Sequence, residues 1–308
     1  MKKAVIIIVM GSLFISTTFT SCKRDNPSIT ENGEKTYILS KSIIEYDTNI
    51  SKNTNKNPIP LGKWETMIDY AIADGASAWT VFKVASKIVG LGYGAAVGML
   101  GGVCGSIYKY VREHKDFKPS PTSNGNIINF NASRQLSSAT NKPFKLQTIS
   151  VTANFGYNLV GELHNKYLDS LVVKFDDRRL DIDPDKTYNY LCNAASVELN
   201  IPTDSIKSAF SLAEYNEVID FDVSEKTNRE IYDYMIRNNV PKYLCSYMNE
   251  FFERIRKPEN ASYDIALNYV NLFIEDVQNQ SFTTQEKNGI LYSLSIFKNS
   301  LQYWNQKL

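Results

Sequence analysis

The sequence predicts an all-α protein: an irregular multi-helix bundle with a glycine-rich helical hairpin and long polar loops. Three observations carry that prediction. Apolar residues recur at helical spacing through most of the chain after residue 60. Helix-start signals stand at Asp183-Pro184, at Thr227-Asn228-Arg229-Glu230 and at Thr283-Thr284-Gln285-Glu286. Alternating runs of the kind that build strands are sparse.

The chain opens with Lys2 and Lys3, an apolar run from Ala4 to Ile15, and a hydroxyl-rich approach ending Phe19-Thr20-Ser21-Cys22. This order of parts is that of a secretory signal, and the apolar run is too short for the roughly 20 residues a bilayer span needs. A cysteine at the cleavage point behind small residues resembles the lipobox of bacterial lipoproteins, with Phe19 standing where that family usually has Leu, Val or Ile. The resemblance covers about the first 25 residues. It implies removal of residues 1–21, lipid attachment at Cys22 and export to the cell membrane or the outer membrane. Residues 22–60, polar and rich in Asn, Lys, Ser and Thr, then read as a lipidated tether. Within it, residues 37–39 and 42–44 could form a short strand or a docking segment.

Residues 61–113 form a helical segment. Trp64, Met67, Ile68, Ala71 and Ile72 fall at helical spacing, and Trp79 and Phe82 continue the pattern past Gly75. No charge occurs from Ile88 to Tyr108, and Gly90, Gly94, Gly98 and Gly102 recur every fourth residue, with Gly101 and Gly105 as a second such pair. Residues four apart share a helix face, so each row makes a groove where another backbone can approach closely. Each interior glycine costs about 0.8–1.0 kcal/mol against alanine, which only tight packing or a lipid phase offsets. A buried hairpin and a membrane-inserting or self-associating segment are the two readings of this stretch. A third, a dinucleotide-binding turn at Gly90, Gly92 and Ala95 with Glu113 as the ribose acid, needs alternating strands that the rest of the chain does not offer.

Residues 114–150 carry three prolines and little periodicity, and read as a linker or loop. Residues 151–308 then form a helical domain. Its stripes are Leu159 to Phe175, Tyr188 to Leu199, Ile231 to Ile236, Tyr243 to Ile255, Ile265 to Val277, and Ile290-Leu294-Phe297-Leu301-Trp304 in heptad-like steps.

Candidate chemistry is thin. His164 with Asn165 is the one polar pair worth singling out, either projecting into a polar pocket or sitting on the surface of an amphipathic helix. Asp181-x-Asp183-x-Asp185 has a calcium-loop spacing, but Lys186 and Cys192 occupy the positions where the loop needs Gly and Glu. No nucleophile elbow, phosphate loop, zinc-protease helix or paired cysteine motif is present, so no catalytic residue, metal site or cofactor is assigned. Removal of residues 1–21 leaves an excess of one acidic residue, which excludes the basic footprint of nucleic-acid binding. In an exported protein Cys192 and Cys245 are open to two readings, a disulfide or buried thiols. The sequence therefore describes a lipid-anchored cell-envelope protein acting as a helical interaction module, its partner another protein or a second copy. The alternative is a membrane-active protein working through residues 88–108. An enzyme of unknown class comes third.

Overall fold

The middle of one long helix is buried on every side, and the rest of the molecule is arranged around it. This computed structural model describes residues 35–52, 61–89, 91–114, 156–178, 183–257 and 260–308. Among them are eleven α-helices and no strand, the all-α bundle the periodicity predicts. Cys22, Gly90 and nearly all of the 114–150 loop lie outside the described residues.

Helix α2 (Leu61–Val89) and helix α3 (Leu91–His114) make the glycine-rich hairpin. Every residue from Tyr70 to Val81 and from Gly94 to Cys104 is buried. A helix apolar all round is a core helix, and its surface must be covered by neighbours rather than by water. Helix α4 (Tyr157–Arg178) and the last helix, α11 (Thr284–Lys307), supply that cover on one side, each packing on α2, α3 or both. Helix α11 is itself buried from Gly289 to Phe297.

Short helices close the other side of α3: α5 (Pro184–Leu199), α6 (Thr203–Ala209) and α7 (Leu212–Phe221). Asp183 caps α5 by accepting from the Lys186 N–H at 3.0 Å, with Pro184 in the first turn. Asn200 ends α5 at φ 52°, a left-handed conformation that asparagine tolerates. Helix α7 starts from a capping box between Ser211 and Glu214 that the sequence reading does not include. Helices α8 (Asn228–Arg237), α9 (Lys242–Arg256) and α10 (Tyr263–Asn279) finish the body. The capping boxes at Thr227/Glu230 and Thr283/Glu286 form as the sequence predicts, starting α8 and α11.

The buried side chains of α2, α3, α4 and α11, drawn from both 61–113 and 151–308, belong to one hydrophobic cluster. Of the two alternatives for residues 37–39 and 42–44 within the tether, residues 35–52 take that of a docking segment. They dock on the body, with helix α1 (Lys41–Lys52) lying against α10 and Ile43 fully buried. Their polar composition hides five ring or aliphatic side chains, Tyr37, Leu39, Ile43, Tyr46 and Ile50, that pack on the core.

Candidate functional site

Helix α2 carries one acidic residue in its buried middle, Asp74, with no exposed surface. A carboxylate there is costly unless it is paired. Two helices answer it. Ser300 of α11 donates from Oγ to Asp74 Oδ2 at 2.6 Å. His164 of α4, also without exposure, brings Nε2 to 3.3 Å from the same oxygen. That approach is a close contact rather than an aligned hydrogen bond, since His164 Nε2 and Asp74 Oδ1 have no hydrogen-bond partner among the described residues.

The neighbouring residue orients the imidazole. Asn165 Nδ2 donates to the Asn299 carbonyl at 2.7 Å, which turns Asn165 Oδ1 toward His164 Nδ1 at 3.0 Å. The network therefore assigns a proton to Nδ1, and the contact with Asp74 becomes ionic when Nε2 carries a second one. The sequence places His164 and Asn165 in a polar pocket or on a helix surface; the structure places both against α11, His164 wholly inside. It also adds Asp74 and Ser300, which the sequence reading misses. Their signal was present: Asp74 is the one charge between Tyr70 and Phe82, and Ser300 stands one step off the α11 stripe.

Glycines set the depth of this cluster. A Cβ on Gly102 would lie 3.0 Å from His164 Cδ2 and 2.9 Å from Ile296 Cγ2, so Gly102 faces α4 and α11. The row that meets α2 is the other one. A Cβ on Gly105 would lie 2.6 Å from the Ala73 carbonyl oxygen, and one on Gly101 would lie 2.8 Å from Val81 Cγ2. Gly94 and Gly98 are buried on α3 as well. Gly92 and Gly94 sit inside a helix rather than in a strand-to-helix turn, and Glu113 pairs with Lys109 at 3.0 Å and accepts from the Tyr70 hydroxyl. The dinucleotide-binding reading has no support in that arrangement. No described helix is long and apolar enough to cross a membrane.

The order of groups also decides what the cluster can do. In a nucleophile–base relay the serine hydroxyl faces the imidazole. Here the carboxylate stands between hydroxyl and imidazole, and all three are sealed from solvent. Neither a substrate nor a nucleophile has access. What the arrangement supplies is cross-linking of α2, α4 and α11 at fixed depth.

Surface clefts are the remaining candidates. One of about 590 Å³ is lined by Asp220, Phe221, Lys226, Glu230, Asp233 and Arg237. Two of its acidic groups already have partners, since Glu230 closes the capping box on Thr227 and Asp233 pairs with Arg229 at 3.1 Å, and the Phe221 ring stacks on Tyr234 at 3.6 Å. A second, of about 470 Å³, is lined by Lys35, Thr36, Tyr37, Lys242, Tyr243 and Ser246, where the docked N-terminal segment meets α9. No group of three or more His, Cys, Asp or Glu among the described residues could hold a metal ion. Cys104, Cys192 and Cys245 are buried thiols, so the disulfide reading is set aside. Burial pushes the Cys104 thiol well above its ordinary range and that of Cys192 up to about 11. His114 ends α3 stacked on Tyr110 at 4.1 Å, its Nδ1 2.8 Å from the Tyr110 carbonyl. Comparison with family models, with curated proteins and with solved structures finds no match for this chain.

Proposed function

We propose that this is a lipid-anchored protein of the bacterial cell envelope whose helical body serves as a binding or interaction module. The observation that carries the reading is Cys22, preceded by Lys2, Lys3, an apolar run and small residues. The sealed polar cluster supports a scaffold role for His164, and surfaces rather than an interior pocket remain for recognition.

Metabolic labelling with a radioactive fatty acid tests the anchor. Wild-type protein should take up label and Cys22→Ser should not. Equal labelling of the two, or of neither, defeats the reading.

A further inference from the structure

The groove between α9 and α10 holds its occupant by the main chain. The occupant, residues 36–40, is non-helical and leads into α1. Asp276 in the last turn of α10 and Gln280, which caps its C-terminus, are both almost fully buried. Gln280 Nε2 donates to the Ile38 carbonyl at 2.6 Å, and Asp276 Oδ1 accepts from the Ser40 N–H at 3.1 Å. Those bonds read backbone, not side chains, so they are open to other sequences. Within residues 36–43, side-chain recognition comes from Tyr37, Leu39 and Ile43, with Leu39 partly buried against the core. The Tyr37 ring meets Tyr247 edge-on at 5.2 Å, and Ile43 inserts with no exposure. Ile38 between them is 47% exposed.

Two further features suit a receptor. Gln280 Oε1 is buried without a hydrogen-bond partner among the described residues, an acceptor the present occupant leaves unused. A buried amide oxygen of that kind asks for an N–H. The cleft of about 470 Å³ continues the groove beside Tyr37 along Lys242, Tyr243 and Ser246, giving an incoming chain a place to start.

We propose that this groove is a binding site for a polypeptide segment that runs extended and then turns into a helix, filled in the resting protein by residues 36–43 and opened to a partner's segment when these detach. The ligand is a peptide with an aromatic side chain, a backbone carbonyl and N–H presented in the 38–40 register, and an aliphatic side chain six residues after the aromatic. This rests on the interaction-module reading and names the chemistry of its partner. It is independent of the anchor, since loss of fatty-acid labelling would leave the groove unaffected.

The test uses a fluorescent peptide with the sequence of residues 35–48 and the whole chain. Ile43→Asp in the chain removes the deepest point of the internal occupant and leaves the groove intact, so it should tighten peptide binding at least about tenfold over wild type. The same change in the peptide should abolish binding, and Gln280→Ala in the chain should weaken it. Equal binding of a scrambled peptide, or no binding to an Ile43→Asp chain that still melts cooperatively, overturns the proposal. Should Ile43→Asp not fold, amide exchange of the wild type decides. Residues 36–43 should exchange well before the α2 and α3 core, and exchange only on global unfolding overturns it.

Discussion

Asp74 and His164 show how one buried polar pair ties three helices. Removing Asp74 leaves the Ser300 hydroxyl and the His164 ring buried without that partner, so Asp74→Ala should cost about 1–3 kcal/mol. The double substitution Asp74→Ala/His164→Ala should cost clearly less than the two single losses added, because the second removal strands nothing new. Urea unfolding of the four proteins measures this, and strict additivity would dissolve the coupling. Glu286 gives a pH signature at the same scale. Burial raises its carboxyl, but the Tyr243 hydroxyl, the Thr283 N–H and hydroxyl and the Lys35 charge outweigh that and hold it below its ordinary range. A carboxyl held low in the folded state adds stability above its unfolded range, and this is lost as pH falls through the folded value. Glu286→Gln should therefore narrow the gap to wild type as the solution is acidified below about pH 4. A gap that widens on acidification contradicts the assignment.

At the scale of elements, the hairpin depends on missing side chains. Ala at Gly105 would press Cβ onto the carbonyl of Ala73, and Ala at Gly161 would lie 2.5 Å from the Ser295 carbonyl oxygen, both backbone atoms with little room to move. Each change should destabilise by about 1–3 kcal/mol despite the better helix propensity of alanine. Gly62, in the first turn of α2, has nothing within 4 Å of such a Cβ. Gly62→Ala should be neutral or stabilise by a few tenths to about 1 kcal/mol. Thermal melts of the three variants check the contrast. Stabilisation at Gly105 would mean that α2 and α3 do not approach as described. The same element shows how far spacing alone reaches. Rows of glycine four apart announce a close helix–helix seam, yet spacing does not say which row meets which neighbour. Gly105 found α2, whereas Gly102 found His164.

Across the whole molecule, periodicity and caps made most helices legible, from Trp64 on α2 to Trp304 on α11. Residues 203–221 were not read as helices: α6, at seven residues, is too short for a stripe to repeat, and the Ser211/Glu214 capping box of α7 went unread. Docking of residues 37–39 and 42–44 was one of two alternatives the sequence left open, because Tyr37 and Ile43 are ordinary until the groove that receives them exists. Likewise the partnership of Asp74 with residues ninety and more than two hundred positions away is a product of packing, and no local pattern encodes it. The buried thiols offer a check on that packing. A disulfide-exchange reagent should find Cys104, Cys192 and Cys245 unreactive in the native protein and all three reactive in denaturant. Rapid native labelling at any of them would mean that the core is open.

Mass spectrometry of the protein purified from its native membrane tests the central claim most directly. The account predicts an amino terminus at Cys22 carrying the mass of a thioether-linked diacylglycerol. A chain that begins at Met1 and has an unmodified thiol at position 22 would contradict it.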